Sequence, residues 1–219
     1  MSTRPGAVRA DGAEELRRLR AVFDRVRAAV SAPISADTYR PEVARWALAH
    51  GAALINDVSG GVDPEMAAVV REAGAGWILT HAGGVNVPTE SERGYPDGVL
   101  SDVQRFFDAV LTRTAALGVD PEQLCLDPGF GFAKSAAENV ELLRGLKTLD
   151  THGRPLLSAL SRKRFVGALS GEAEAEGRLC GTLAANAMAV LSGAEILRVH
   201  DVAAHAPFVR ALDGLKNGA

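Results

Sequence analysis

Six short apolar runs, each ending on polar residues and each followed by an amphipathic stretch, leave this chain few ways to fold. The runs are "PISAD" (33–37), "ALINDV" (53–58), "GWILTH" (76–81), "QLCLD" (123–127), "PLLSALS" (155–161) and "EILRVH" (195–200). Strands that are apolar throughout need cover on both faces, which is the condition of a parallel sheet wrapped by helices. The intervening segments predict those helices. Residues 13–30 place Leu16, Leu19, Phe23, Val26 and Val30 on one face, with arginines opposite. "PEVARWALAH" opens on Pro41, which the first helical turn tolerates. Further helices are expected over 64–73, 98–117, 137–149, 176–192 and 203–216. In the second of these, Phe106, Phe107, Val110 and Leu111 turn inward. No linker or low-complexity break interrupts the alternation, so residues 1–219 read as a single domain.

Two architectures satisfy that pattern: an open doubly wound sheet, and a barrel of eight βα units. Neither GxGxxG nor GxxxxGK[ST] follows any of the strands, so the phosphate loops of the first are missing. The polar strand ends favour the second. Asp37, Asn56, His81, Asp127, Ser161 to Lys163, and Arg198 with His200 fall at the C-terminal ends of successive strands. In a barrel those ends form one face, the face on which active sites are built.

Other function classes are set aside by composition. A net charge of −3 with no basic run does not suit a nucleic-acid coat. "MSTRPGAVRADGAEELRRLR" has no apolar signal region, and no stretch of about 18 uncharged apolar residues occurs, so a cytoplasmic protein without a membrane partner is expected. Cys125 and Cys180 are too few and too far apart for a disulfide framework or a zinc site. Both lie in apolar surroundings and are expected to be small core residues.

The motifs "STRPGA" (2–7), "PISADTYRPEVA" (33–44), "INDVSGG" (55–61), "DPGFGFAKS" (127–135), "LSRKRFVG" (160–167) and "RVHDV" (198–202) follow one another in order. In this combination, and over nearly its whole length, the chain resembles the dihydropteroate synthases, pterin-binding (β/α)8 barrel enzymes. The resemblance implies a transferase of folate biosynthesis. It would condense 6-hydroxymethyl-7,8-dihydropterin pyrophosphate with p-aminobenzoate and release pyrophosphate, usually with Mg2+. It also implies roles. Asp127 accepts from the pterin amino and ring N–H groups, and Asn56 and Lys163 complete the recognition. Asp37 lies near the ring, where its charge stabilises positive charge developing at the exocyclic carbon; Asp37 and Lys163 are the catalytic candidates. Arg198 and His200, two apart and so on one face, resemble the pyrophosphate contacts, as do Thr3 and Arg4 from a second loop. Phe132 and the start of the helix after Lys163 flank the aminobenzoate. His81 and Asp57 are expected to be structural, Asp57 ordering its loop.

The chain also departs from that family. Met1 directly precedes "STRPG", where the family has a first strand, a glycine-rich loop with an Asn that contacts Mg2+ and pyrophosphate, and a second strand. The expected fold is therefore an α/β, TIM-type barrel lacking its first two strands, with six parallel strands and their helices. No metal ligand is expected within this chain, because the family's Asn lies in the missing loop. At about 31 residues per unit, the chain has room for roughly seven. Thr80 and Ala82 in "THAGG" stand where the family usually has methionines, and Ala159 where it commonly has glycine. Two other functions share the pterin-binding barrel. One is a non-catalytic or weakly active homologue. The other is methyl transfer, which has no pyrophosphate to hold and so no use for "STRPG" and "RVHDV". A homodimer through the last helices is the expected assembly, 176–192 being rich in Ala and Gly.

Overall fold

The computed structural model describes residues 11–83 and 94–218. Four strands form a parallel sheet in sequence order: β1 (Ile34–Asp37), β2 (Ala52–Asp57), β3 (Gly76–Thr80) and β4 (Leu124–Asp127). Two further strands, β5 (Leu157–Ser158) and β6 (Ile196–Leu197), pair in parallel beside it. A bridge between Leu126 and Leu156, with Leu126 N–H donating to Pro155 O at 2.9 Å, joins the two sheets into one curved series. Around it lie α1 (Gly12–Ala29), α2 (Pro41–Ala49), α3 (Pro64–Ala73), α4 (Val99–Ala116) and α5 (Ala136–Gly145). Then follow α6 (Arg164–Ser170), α7 (Leu179–Leu191) and α8 (Val202–Asn217). No helix of the described residues is long and apolar enough to cross a membrane.

Local chemistry sets the helix ends. Asp63 caps α3 by accepting from Glu65 N–H at 2.9 Å, Pro64 fills the first turn, and Gly74 ends the helix in the left-handed region. Ser135 and Glu138 form a reciprocal capping box at the start of α5, which stops the loop after β4 at a defined residue.

The side chains of the strands divide between two faces. Ile55, Trp77, Leu79, Leu124 and Leu126 point outward into the main core, where they meet helical residues such as Met66, Val70, Phe107 and Val110. A smaller cluster of Ile78, Cys125, Leu157 and Ala159, with Leu54 against it, fills the inside. The alternation of a strand places Asp37, Asn56, Thr80, Asp127 and Arg198 on that same inner face.

Three expectations need correction. Cys180 is exposed, whereas Cys125 is buried, so only one cysteine belongs to the core. On α1 the expected apolar face is only partly used: Phe23 is buried, but Val26 and Val30 are 43% and 47% exposed. The last two strands are shorter than their apolar runs. β5 and β6 pair over two residues each, and Ser161 and His200 instead belong to turns that build the site.

Candidate active site at the strand ends

The inner rim is polar because the strands end on, or run directly into, side chains able to donate or accept. β1 delivers Asp37 and β2 delivers Asn56, which are register partners and therefore neighbours. Asp37 Oδ2 accepts from Arg198 Nη2 at 3.0 Å. That contact joins the first and last strands, so the sheet curves far enough round for its two ends to meet through one long side chain. Burial pushes the Asp37 carboxyl up, and the Arg198 guanidinium opposes the shift.

Two acceptor atoms on this rim are left over. Asp37 Oδ1 and Asn56 Oδ1 are buried without a hydrogen-bond partner among the described residues. An unpaired buried acceptor costs about 1–3 kcal/mol, so a pair of them side by side describes a surface kept ready for a ligand's N–H groups. Ser158 Oγ and Asn186 Oδ1 are also unpartnered. Those two lie on the helix side of β5 and within α7, away from the rim, and the adjacency of Asp37 and Asn56 is what marks the site.

β4 supplies Asp127, 3% exposed. Its Oδ1 accepts from Gly129 N–H at 2.8 Å, and its Oδ2 lies 3.4 Å from Thr80 Oγ1. Burial pushes this carboxyl up as well; the Gly129 N–H and the positive charges of Lys163, Lys134 and Arg198 oppose it. Lys163 ends the turn after β5 as the residue before α6. Its Nζ stands 4.7 Å from the centre of the Phe132 ring, a cation–π contact. Burial holds its pKa down, against the attraction of Asp127. Lys163, Phe132 and Asp127 thus converge from two loops.

Gly131 makes that convergence possible. A Cβ there would come within 2.9 Å of Lys163 Cδ, and the residue has φ +77°. Gly129, at φ +71°, is tighter still, since a Cβ would run into the His81 carbonyl oxygen.

His200 is placed by Ser161, whose Oγ accepts from His200 N–H at 3.1 Å and lies 3.0 Å from Nδ1. Burial, Arg162 and Arg198 together lower the His200 pKa, so the ring is neutral at pH 7. Arg162 sits at φ +59°. Its guanidinium grips Asp201 with two bonds of 2.6 and 3.0 Å, tying the Lys163 turn to the His200 segment.

Asp37, Asn56, Asp127, Lys163, Phe132, Arg198 and His200 therefore come to one end of the strands. Thr3 and Arg4 lie outside the described residues. The helix after Lys163 has only seven residues, too short to add an appreciable dipole to an anion site. Asp57 orders its loop as expected, accepting from Ser59 N–H, Gly61 N–H and Trp77 Nε1 at 2.8, 3.2 and 3.3 Å.

Sequence reasoning missed two contributors. Thr80, seen only as a missing methionine, hydrogen-bonds Asp127. Lys134, inside a quoted motif but given no role, is buried directly behind the site. The density of Gly in "DPGFGFAKS" was the available signal, since a chain folded that tightly has backbone carbonyls turned inward.

The comparisons agree with this geometry. The family model for pterin binding enzymes matches residues 1–200. A dihydropteroate synthase from Synechocystis sp. is 41% identical over 215 residues, 98% of this chain and 74% of the relative. Xanthomonas albilineans dihydropteroate synthase with 4-aminobenzoic acid has a TM-score of 0.91 at 39% identity, covering 100% of this chain and 77% of that one. The structure from the same organism in complex with 7,8-dihydropteroate has a TM-score of 0.87 at 38% identity, covering 96% and 77%. The curved parallel array is accordingly that of a TIM-type barrel. With matches spanning nearly all its length, the chain belongs to the pterin binding enzyme family, in its dihydropteroate synthase group.

Proposed function

We propose that this protein is a dihydropteroate synthase-type transferase of folate biosynthesis. It joins the exocyclic carbon of 6-hydroxymethyl-7,8-dihydropterin pyrophosphate to the amine of p-aminobenzoate and releases pyrophosphate. The observation that carries this reading is the rim itself, where two orphaned acceptors, a buried carboxylate and a half-buried ammonium gather at one end of the strands. A pterin presents a fixed row of ring donors and acceptors that such a set would satisfy.

In the proposed reaction Asp127 accepts from the pterin amino and ring N–H groups, with Asn56 and Lys163 pairing the remaining ring atoms. The C–O bond to pyrophosphate breaks, and its electron pair leaves with the phosphate oxygen. Asp37 stabilises positive charge at the carbon left behind. Arg198 and His200 face the departing group, with Thr3 and Arg4 as further contacts; neutral His200 donates from Nε2 when Ser161 binds Nδ1. The aminobenzoate nitrogen attacks the carbon and loses its proton to solvent water, with Phe132 and the Lys163 stem walling its ring. Asp37 already holds Arg198 in the free protein, so arrival of pyrophosphate exchanges one anion for another on the same guanidinium.

The six strands fill six consecutive places of an eight-stranded barrel, a curvature that the Asp37–Arg198 contact between the two ends of the series supports. Residues 1–219 form one pterin-binding domain, in a cytoplasmic protein. Magnesium is bound with the pyrophosphate. Among the described residues no three His, Cys, Asp or Glu side chains are grouped to hold an ion, so no step here runs through it. A homodimer forms through the last helices, where Met188, Leu191, Val202 and Leu215 are exposed.

Purified protein given both substrates and Mg2+ should release pyrophosphate in step with dihydropteroate formation. Pterin binding without pyrophosphate release would replace the transferase reading with a non-catalytic binding role. Absence of both would refute it.

A further inference from the structure

Lys134 touches neither proposed substrate, yet it is 1% exposed and surrounded by acceptors. Its Nζ lies 2.9 Å from His81 Nδ1, 3.0 Å from Gly129 O, and 3.2 Å from both His81 O and Phe132 O. An ammonium has three protons and accepts nothing, so four acceptors within 3.2 Å describe a cage for the charged form. His81 is oriented to take part. Its Nε2 lies 3.0 Å from Asp102 Oδ2, and Arg105 donates to the other oxygen of that carboxylate at 2.9 Å. A carboxylate on Nε2 fixes the proton there and leaves Nδ1 as an acceptor for the lysine.

The cage is built largely from the loop after β4, which turns left-handed three times and is strained at Ala133. Gly129, Gly131 and Ala133 have φ of +71°, +77° and +48°, and a left-handed Ala persists only where its surroundings hold it. The front of the same loop carries Asp127, through its bond to Gly129, and Phe132, through its contact with Lys163. Two of the carbonyls on Lys134 belong to Gly129 and Phe132.

Building on the transferase reading, we infer that Lys134 is a positioning residue. From behind, its caged ammonium holds the loop so that Asp127 meets the pterin and Phe132 meets the aminobenzoate.

The cage works only while Lys134 is charged. A neutral amine has two protons and a lone pair, and that lone pair would face an imidazole nitrogen or a carbonyl oxygen. Burial brings the Lys134 pKa down to about 7; Lys163 adds to the shift, whereas Asp127, Asp102 and Glu138 oppose it. With His81, these are the ionisable groups facing it from β4, the Lys163 turn, α4, α5 and the end of β3. The loop should therefore slacken as the pH rises past neutrality.

The test uses Lys134→Met and Lys134→Arg in the full chain. In Lys134→Met, KM for both substrates should rise by about tenfold or more, because one loop presents both contact residues. The alkaline limb of kcat/KM should vanish in this variant, while Lys134→Arg keeps the charge and recovers part of the affinity. Unchanged KM values with the wild-type pH profile would overturn the inference. A second readout needs no activity: in wild-type NMR spectra the amides of Gly129, Gly131 and Phe132 should titrate together with a midpoint near 7. If these amides are silent between pH 6 and about 9 and also keep their wild-type shifts in Lys134→Met, Lys134 is not the clamp, whatever reaction the site performs.

Discussion

Asp127 is a carboxylate kept where carboxylates are costly. Its burial raises its pKa, so the folded state holds that proton more tightly than the unfolded chain. Stability then falls as pH rises from the ordinary carboxylate range to the raised value, and above it the cost is present in full. Asn in its place has no charge to desolvate, keeps an acceptor for Gly129 N–H, and points its amide at Thr80 Oγ1. Asp127→Asn should therefore melt higher than the parent at pH 8 by a few degrees, about 1 kcal/mol for a chain of this size. The gain should shrink as the pH is lowered toward 5. Pterin affinity should fall at least a hundredfold, since one acceptor oxygen and the charge are gone; a charge-assisted hydrogen bond alone is worth about 1.5–3 kcal/mol. Thermal scans and calorimetry check both halves, and a variant that melts lower at pH 8 would contradict the argument. A site residue whose removal steadies the fold is held there by its chemistry and not by packing.

Among the elements, the loop between β4 and α5 separates two kinds of glycine. At Gly129 a methyl group would strike a backbone carbonyl, that of His81, which cannot move without dragging β3. At Gly131 it would meet the flexible Lys163 stem. Gly129→Ala should cost several kcal/mol and yield little folded protein, the combined result of a steric clash and a left-handed Ala at about 1–2 kcal/mol. Gly131→Ala should fold with only the second cost, while displacing Lys163 and weakening pterin binding. Circular dichroism melts and pterin titration separate the two, and similar losses of stability would count against the distinction. These elements also show what was readable beforehand. β1 to β4 were legible because each is a short, mostly apolar run that stops on a polar side chain, and α3 was legible to the residue from Asp63, Pro64 and Gly74. Asp37 and Asp127 were legible for the same reason, as the last residues of their strands, and Asn56 as the next to last of its own. The outward turn of Val26 and Val30 was not, because periodicity gives a face and not what that face meets. Nor was Lys134: a lysine among Gly and Ser reads as solvated, and the carbonyls that cage it have no signature in the side chains.

Across the whole molecule, cohesion is uneven. β2 and β3 each pair on both edges, whereas β5 and β6 share a two-residue ladder and Ile196 is 37% exposed on the inner side. Opening costs follow the local density of buried contacts and protected hydrogen bonds, so amide exchange in the free protein should be slowest in β2 to β4 and faster by orders of magnitude in Ile196 to Arg198. The inner face of the β6 end reaches across to β1 through the bond from Arg198 to Asp37, which is half exposed to solvent. An exposed pair of this kind contributes at most about 1 kcal/mol, too little to lock the two strands. Ligand changes that balance. A pterin pyrophosphate would engage Asp37 and Asn56 at one end of the series and Arg198 and His200 at the other, so binding free energy adds directly to the cost of opening β6. At ligand concentrations about a hundred times Kd, that is about 2.7 kcal/mol, a slowing near a hundredfold. Exchange measured with and without the pterin pyrophosphate should show this slowing at β6 and β1 as well as in β3, because the opening that exposes β3 takes the whole sheet, and the site, apart. Protection gained in β3 but not in β6 would mean that the ligand does not span the strand ends.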